Sequence, residues 1–301
     1  MGVLGLIFAP GFLSNGPVHT ALLVGGGAAV VGAVVGVFTV MRGQSFAGHA
    51  LADVSSAGGS ASFLLGLNPL VGFLGMAALA AGVMECADVR DARERDLLTG
   101  VMLGAGLGLT ALFLYFASVT GSASGAAITV LFGSMFTIPA SIVPAALALA
   151  GVALAVIAAI YRPLLLSAVS EDLAQAQGTR VRLIGLAHGW ALALAVSLSA
   201  MTVGAILSTA LLIGPAAAGL RLADRPGRSL ALAVLIGLLA TWGGILLAYD
   251  SYDWTPGHGW PVSFFIVVLV FIAYLLAALL ARVRARGVSL RAVHPSGCGQ
   301  D

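Results

Sequence analysis

The chain has 301 residues, 60% of them hydrophobic and 9% charged, with a mean hydropathy of +1.07 and a formal net charge of +2. Soluble domains carry about 25% charged residues, so the composition excludes an ordinary soluble enzyme, and the basic groups flank apolar runs rather than forming a nucleic-acid surface. All fourteen basic residues are arginine; without lysine a phosphate-binding loop of the G-x-x-x-x-G-K-[ST] type cannot be built, so ATP hydrolysis, if it drives this chain, belongs to another polypeptide.

Residues 1–17 are apolar but lack a basic start, and read as a lead-in to the first span rather than a secretory signal. Apolar runs of about 17–25 residues fit a bilayer as helices. They fall at 18–41, 45–66, 69–87, 97–118, 138–161, 183–204, 205–222, 229–249 and 261–281. The expected fold is therefore all-α: a polytopic transmembrane helical bundle of about eight or nine spans over 18–281, followed by a tail at 282–301. The shorter piece Ala126 to Ile138, which ends at Pro139, reads as a half-helix or part of a kinked span. Gly214-Pro215 is a candidate break in the span that starts near Gly204.

Threading the nine spans alternately puts every arginine on one side: Arg42, the group 90–95, Arg162, Arg180, Arg182, the group 221–228 and the group 282–291. By the positive-inside rule that side is the cytoplasm, which predicts a cytoplasmic C-terminus. Gly32-x-x-x-Gly36 and Gly100-x-x-x-Gly104 predict close helix approach, within the chain more readily than across a dimer seam. Cys86 and Cys298 are too few for a disulfide framework or a CxxC metal site.

Two constellations carry chemistry. His49 and Asp53 are spaced i, i+4 in a span, so they share one helix face. Ionisable groups at such depth are costly and mark functional sites. Imidazole and carboxylate together suit Zn²⁺, Mn²⁺ or Fe²⁺ better than Cu(I). Two such pairs across a two-fold axis would supply four ligands. The same spacing serves a structural His–Asp hydrogen bond equally well. The second constellation is the arginine-side loop over 162–182. There Ser170 can N-cap a short helix, Glu171 and Asp172 occupy its favourable first turn, and Gly178 can end it in a left-handed conformation. Such a helix is either a docking element for a soluble partner or a solvated loop.

Other polar residues read more plainly. His188 has no acidic neighbour in sequence and is expected to be a packed helix-interior histidine. Asp250, Asp253 and His258 lie near Trp254 and Trp260. They form either an interfacial aromatic belt with solvated acids or a docking surface for an extracytoplasmic binding protein.

Several segments, in order along Thr20 to Leu280, resemble the membrane subunit of zinc- and manganese-type ABC importers. They are Arg42-x-x-Ser45-Phe46-x-Gly48-His49-x-Leu51-x-Asp53, Asn68-Pro69, Leu97-Leu98-x-Gly100, Leu131-Phe132-Gly133, Ser167 to Gly178 and Leu211-Leu212-Ile213-Gly214-Pro215-Ala216-Ala217. The family places the carboxylate first in the second-helix pair; here His49 stands at that position and Asp53 follows. The resemblance implies a non-enzymatic permease that passes zinc, manganese or iron by alternating access and holds no permanent cofactor. It also implies a permease homodimer in the lipid bilayer, a cytoplasmic ATPase bound at Ser167, Ser170, Glu171, Asp172, Leu173 and Gly178, and a metal-binding protein outside. A wide pathway without a compact ligand ring would instead fit a chelate such as a siderophore or corrinoid, and absence of an ATPase would fit a secondary carrier.

Overall fold

A computed structural model of the chain describes residues 12, 15–87, 92–121, 125–133, 135–254 and 259–292. Among these residues the elements are eleven α-helices and two short 3₁₀ turns. The helices are α1 (Gly16–Met41), α2 (Ser45–Leu65), α3 (Pro69–Cys86), α4 (Ala92–Val119), α5 (Ala126–Phe132) and α6 (Val143–Val169). They continue with α7 (Glu171–Ala176), α8 (Val181–Val203), α9 (Ala205–Leu222), α10 (Pro226–Trp254) and α11 (Val262–Ala292). Seven of them, α1, α4, α6, α8, α9, α10 and α11, are long and apolar enough to cross a bilayer.

The two remaining expected spans exist as helices of 21 and 18 residues, α2 and α3. At about 1.5 Å rise per residue α2 reaches roughly 30 Å, the thickness of the hydrocarbon core. α2 falls outside the seven because it carries His49, Asp53 and the serines at 45, 55, 56, 60 and 62. Its neighbours supply what lipid cannot. From Gly48 to Ser62 it is almost wholly buried, packed chiefly on α4 and α3 and also touching α8 and α9.

Helix α1 is the other central helix, held among α6, α8, α9 and α10. Its Gly36 lies against the Leu212 backbone of α9, so close that a Cβ would collide with it. Gly32 faces the Leu211 carbonyl. That carbonyl sits four residues before Pro215, whose ring nitrogen cannot donate to it. The glycines of α1 thus bring backbone up to the part of α9 that proline leaves open. Pro215 stays inside a continuous α9, so the candidate break at Gly214-Pro215 is absent, while the expected boundary near Gly204 separates α8 from α9. There Gly204 abuts Gly133, which ends the half-helix α5.

The glycine motif on α4 behaves differently. A Cβ at Gly100 or Gly104 would meet nothing within 4 Å, so this pair packs on no helix of the described chain. Close approach on α4 uses Gly106, which sits against the backbone of Asp53 and Val54.

The arginines of the described residues gather at one end. Arg42, Arg95, Arg180 and Arg182 line a single cavity of about 710 Å³. Met41, Leu220 and Leu230 pack in one cluster, which joins that end of α1 to the ends of α9 and α10. Arg284 donates to the Leu222 carbonyl at 3.0 Å, adding α11. At the opposite end aromatic side chains pack together, with Trp260 stacked on Phe265 and Trp254 edge-on to it.

Candidate metal centre and coupling helix

His49 Nε2 lies 3.8 Å from Asp53 Oδ2. This gap is too long for a hydrogen bond. It is shorter than two zinc-type coordination bonds end to end, at about 2.0–2.2 Å each, so a single ion fits between the two atoms. The two groups differ in surroundings. The Asp53 side chain is 3% exposed and that of His49 is 37% exposed. Asp53 Oδ2 has no hydrogen-bond partner among the described residues. A buried carboxylate oxygen without a donor is a costly group that a cation would satisfy.

The backbone that carries Asp53 is fixed from outside its helix. The Asp53 carbonyl accepts from Ser56 Oγ at 2.7 Å and from Thr110 Oγ1 of α4 at 3.4 Å, and the two hydroxyls lie 2.8 Å apart. One turn further, Ser60 Oγ donates to the Ser56 carbonyl at 2.9 Å. On the next face Ser55 and Ser197 of α8 both donate to the Phe73 carbonyl of α3, at 2.8 and 3.2 Å. Hydroxyls therefore tie α2 to α3, α4 and α8 without placing a second charge beside Asp53.

His49 is held by a residue that carries no charge. Its Nδ1 lies 2.7 Å from Thr209 Oγ1 on α9, 160 positions away. No spacing rule links the two, and Thr209 escapes a search for ionisable ligands. His188 is buried as expected, 3.4 Å from Thr39 Oγ1, on the wall of the arginine-end cavity and apart from the His49–Asp53 pair. Among the described residues no three histidine, cysteine, aspartate or glutamate side chains gather as a metal cage.

The loop after α6 folds as its sequence suggests. Ser170 caps α7, with Leu173 N–H donating to Ser170 Oγ at 3.3 Å, and Glu171 and Asp172 fill the first turn. At the other end Gly178 has φ +79°, a left-handed conformation that glycine adopts without Cβ strain. Gly178 N–H donates to the Gln175 carbonyl at 2.9 Å and Thr179 N–H to the Ala174 carbonyl at 3.0 Å. This double bond pattern is the Schellman closure of a helix C-terminus. Glu171, Asp172 and Leu173 are exposed, whereas Ser167 is buried in α6 with its hydroxyl donating to the Leu164 carbonyl. Glu171 Oε1 reaches to 3.8 Å from Arg42 Nη2, which joins α7 to the turn that leads into α2.

At the aromatic end Asp250 is 1% exposed, so it lies inside the bundle rather than on a solvated loop. Asp253 falls in the last turn of α10, and His258 lies outside the described residues.

The profile of the ABC 3 transport family matches residues 16–281, from the first turn of α1 into α11. The chain belongs to the ABC 3 transport family. It is 25% identical over 272 residues to the manganese transport system membrane protein MntC of Listeria innocua, covering 90% of this chain and 95% of that one. It is 26% identical over 237 residues to the high-affinity zinc uptake system membrane protein ZnuB of Haemophilus influenzae, covering 77% and 88%. Its fold matches that of a chain in the solved structure of PsaBC from Streptococcus pneumoniae in complex with Fab, with a TM-score of 0.76 at 24% identity over 92% of this chain and 95% of that chain.

Proposed function

We propose that this ABC 3 chain is the permease subunit of an ATP-driven importer and passes a divalent transition-metal ion, manganese or zinc, between His49 and Asp53. The observation that carries this reading is the 3.8 Å gap between His49 Nε2 and a buried Asp53 oxygen that lacks a hydrogen-bond donor. The manganese transport and zinc uptake systems to which the MntC and ZnuB relatives belong support the same substrate class. The metal is cargo, and the chain needs no permanent cofactor and catalyses no reaction.

Two ligands bind an ion weakly, which suits a site that must release it. A second copy of the chain would bring another His49 and Asp53 to make four ligands, so the working unit is a homodimer. The arginine end faces the cytoplasm of a bacterial cell, the C-terminus with it, by the positive-inside rule. A separate ATPase subunit binds the exposed Glu171, Asp172 and Leu173 of α7. Its motion reaches α2 through the contact of Glu171 with Arg42, seven residues before His49, and alternates access to the pair. A metal-binding protein delivers the ion at the aromatic end. The relevant surface there is the Trp254 and Trp260 region, since Asp250 is buried.

His49→Ala and Asp53→Ala are expected to abolish metal-dependent growth while the subunits still co-purify; normal uptake by both variants would remove the site assignment. Glu171→Arg combined with Asp172→Arg is expected to lose the ATPase subunit on purification, and undiminished co-purification would remove α7 as its docking element.

A further inference from the structure

We infer that Thr209 is a positioning residue that makes Nε2 the ligating atom of His49. This rests on the reading of His49 as a ligand. A neutral imidazole has one nitrogen with a lone pair and one that carries hydrogen, and the partner of the second fixes which is which. Nδ1 of His49 is engaged by Thr209 Oγ1 at 2.7 Å. The hydroxyl can donate or accept; in the arrangement we infer it accepts from Nδ1–H, which puts the lone pair on Nε2, the atom that faces Asp53 across the 3.8 Å gap. In the opposite tautomer Nε2 would carry hydrogen and the ion would meet no lone pair there.

Two further features make Thr209 suited to this task. A β-branched side chain in a helix has few rotamers, so its hydroxyl is held in place. Thr209 also lies one turn before Leu212, against which α2 packs through Gly48: a Cβ at Gly48 would come within 3.0 Å of Leu212 Cδ2. That close approach of α2 and α9 brings the His49 ring within reach of the hydroxyl. Thr209 precedes the Leu211–Ala217 segment by two residues. A shift of α9 along α2 would therefore release the ring and turn its lone pair away from Asp53, which couples ligand geometry to helix position.

The test is a titration of the full-length chain, purified in lipid nanodiscs with the subunits that accompany it, with Mn²⁺ and Zn²⁺ in turn. Loss of an outer partner of a ligating histidine weakens metal binding by about 10–100-fold. Thr209→Val keeps the shape and drops the hydroxyl; it is expected to weaken binding by about that factor, with Thr209→Ser restoring it to within about threefold. His49→Ala serves as the reference. If His49→Ala abolishes binding and Thr209→Val binds as the parent does, the role of Thr209 is overturned and the ligand reading stands. If Thr209→Ser is as weak as Thr209→Val, packing rather than the hydrogen bond sets the affinity, and the inference is again overturned. If His49→Ala binds normally, the ligand reading fails and the inference with it. Should Thr209→Val not assemble, Thr209→Ala supplies the same reading.

Discussion

Helices α2 and α11 are both long enough to cross a bilayer, and they solve opposite problems. α11 shows lipid a surface of large apolar side chains, including Phe271, Ile272, Leu275, Leu276 and Leu279, all exposed. α2 shows lipid almost nothing between Gly48 and Ser62, because its residues there are small or polar and other helices cover them. The contrast shows how the chain affords a carboxylate inside a membrane. Polar groups are grouped on one helix, that helix is enclosed by glycine-mediated backbone contact, and hydroxyls from α4, α8 and α9 reach its serines and His49, leaving Asp53 Oδ2 without a donor.

One way to break this enclosure is at Gly106, where a side chain would meet the Asp53 carbonyl carbon at 2.8 Å and the Val54 nitrogen at 2.6 Å. Backbone cannot yield as a side chain can. Gly106→Val is expected to cost at least the ~1–3 kcal/mol of ordinary overpacking, seen as loss of monodisperse protein after solubilisation; normal yield would show that α4 does not clamp α2. Phe271→Arg on the outer face of α11 puts a charge in lipid, at about 2.5–3.5 kcal/mol near a helix centre. A reduced inserted fraction in a membrane-insertion assay is the expected readout, and full insertion would mean that this face is covered. Ser197→Ala removes one of the two donors to the Phe73 carbonyl, leaving Ser55. Interhelical bonds of this kind average about 0.6 kcal/mol and reach about 1.7, so a thermal unfolding midpoint lowered by a few degrees is expected. The smallest effect is Gly104→Ala, two residues from Gly106 and facing no helix of the described chain. It is expected to stabilise by up to about 0.5–1 kcal/mol through helix propensity, and destabilisation would locate a protein neighbour on that face.

Much of this organisation is written in local sequence. Span length and apolarity give the helices, the arginines give a common end, and the i, i+4 spacing sets His49 and Asp53 on one face. Ser170 and Gly178 announce both ends of α7 because caps are local chemistry. What is not local is not legible. Thr209 lies 160 positions from His49 and carries no charge to attract notice. Two GxxxG matches look alike in sequence, yet one packs on α9 and the other on no described helix. The difference is which way the helix is rotated in the bundle. Proline chemistry alone suggests a break of α9 at Pro215, yet the helix runs through it, with α1 packed closely on the Leu211 and Leu212 backbone. Asp250 reads as a surface acid from its proximity to a loop, but α10 runs on to Trp254 and keeps it inside.

The six residues of α7 close both of their own ends, with Ser170 at one and Gly178 at the other. A helix so short has little stability of its own, but its terminal groups do not depend on neighbours for satisfaction. On the proposal that an ATPase docks at α7, a displacement applied there would be passed on as displacement rather than absorbed as fraying at the tips.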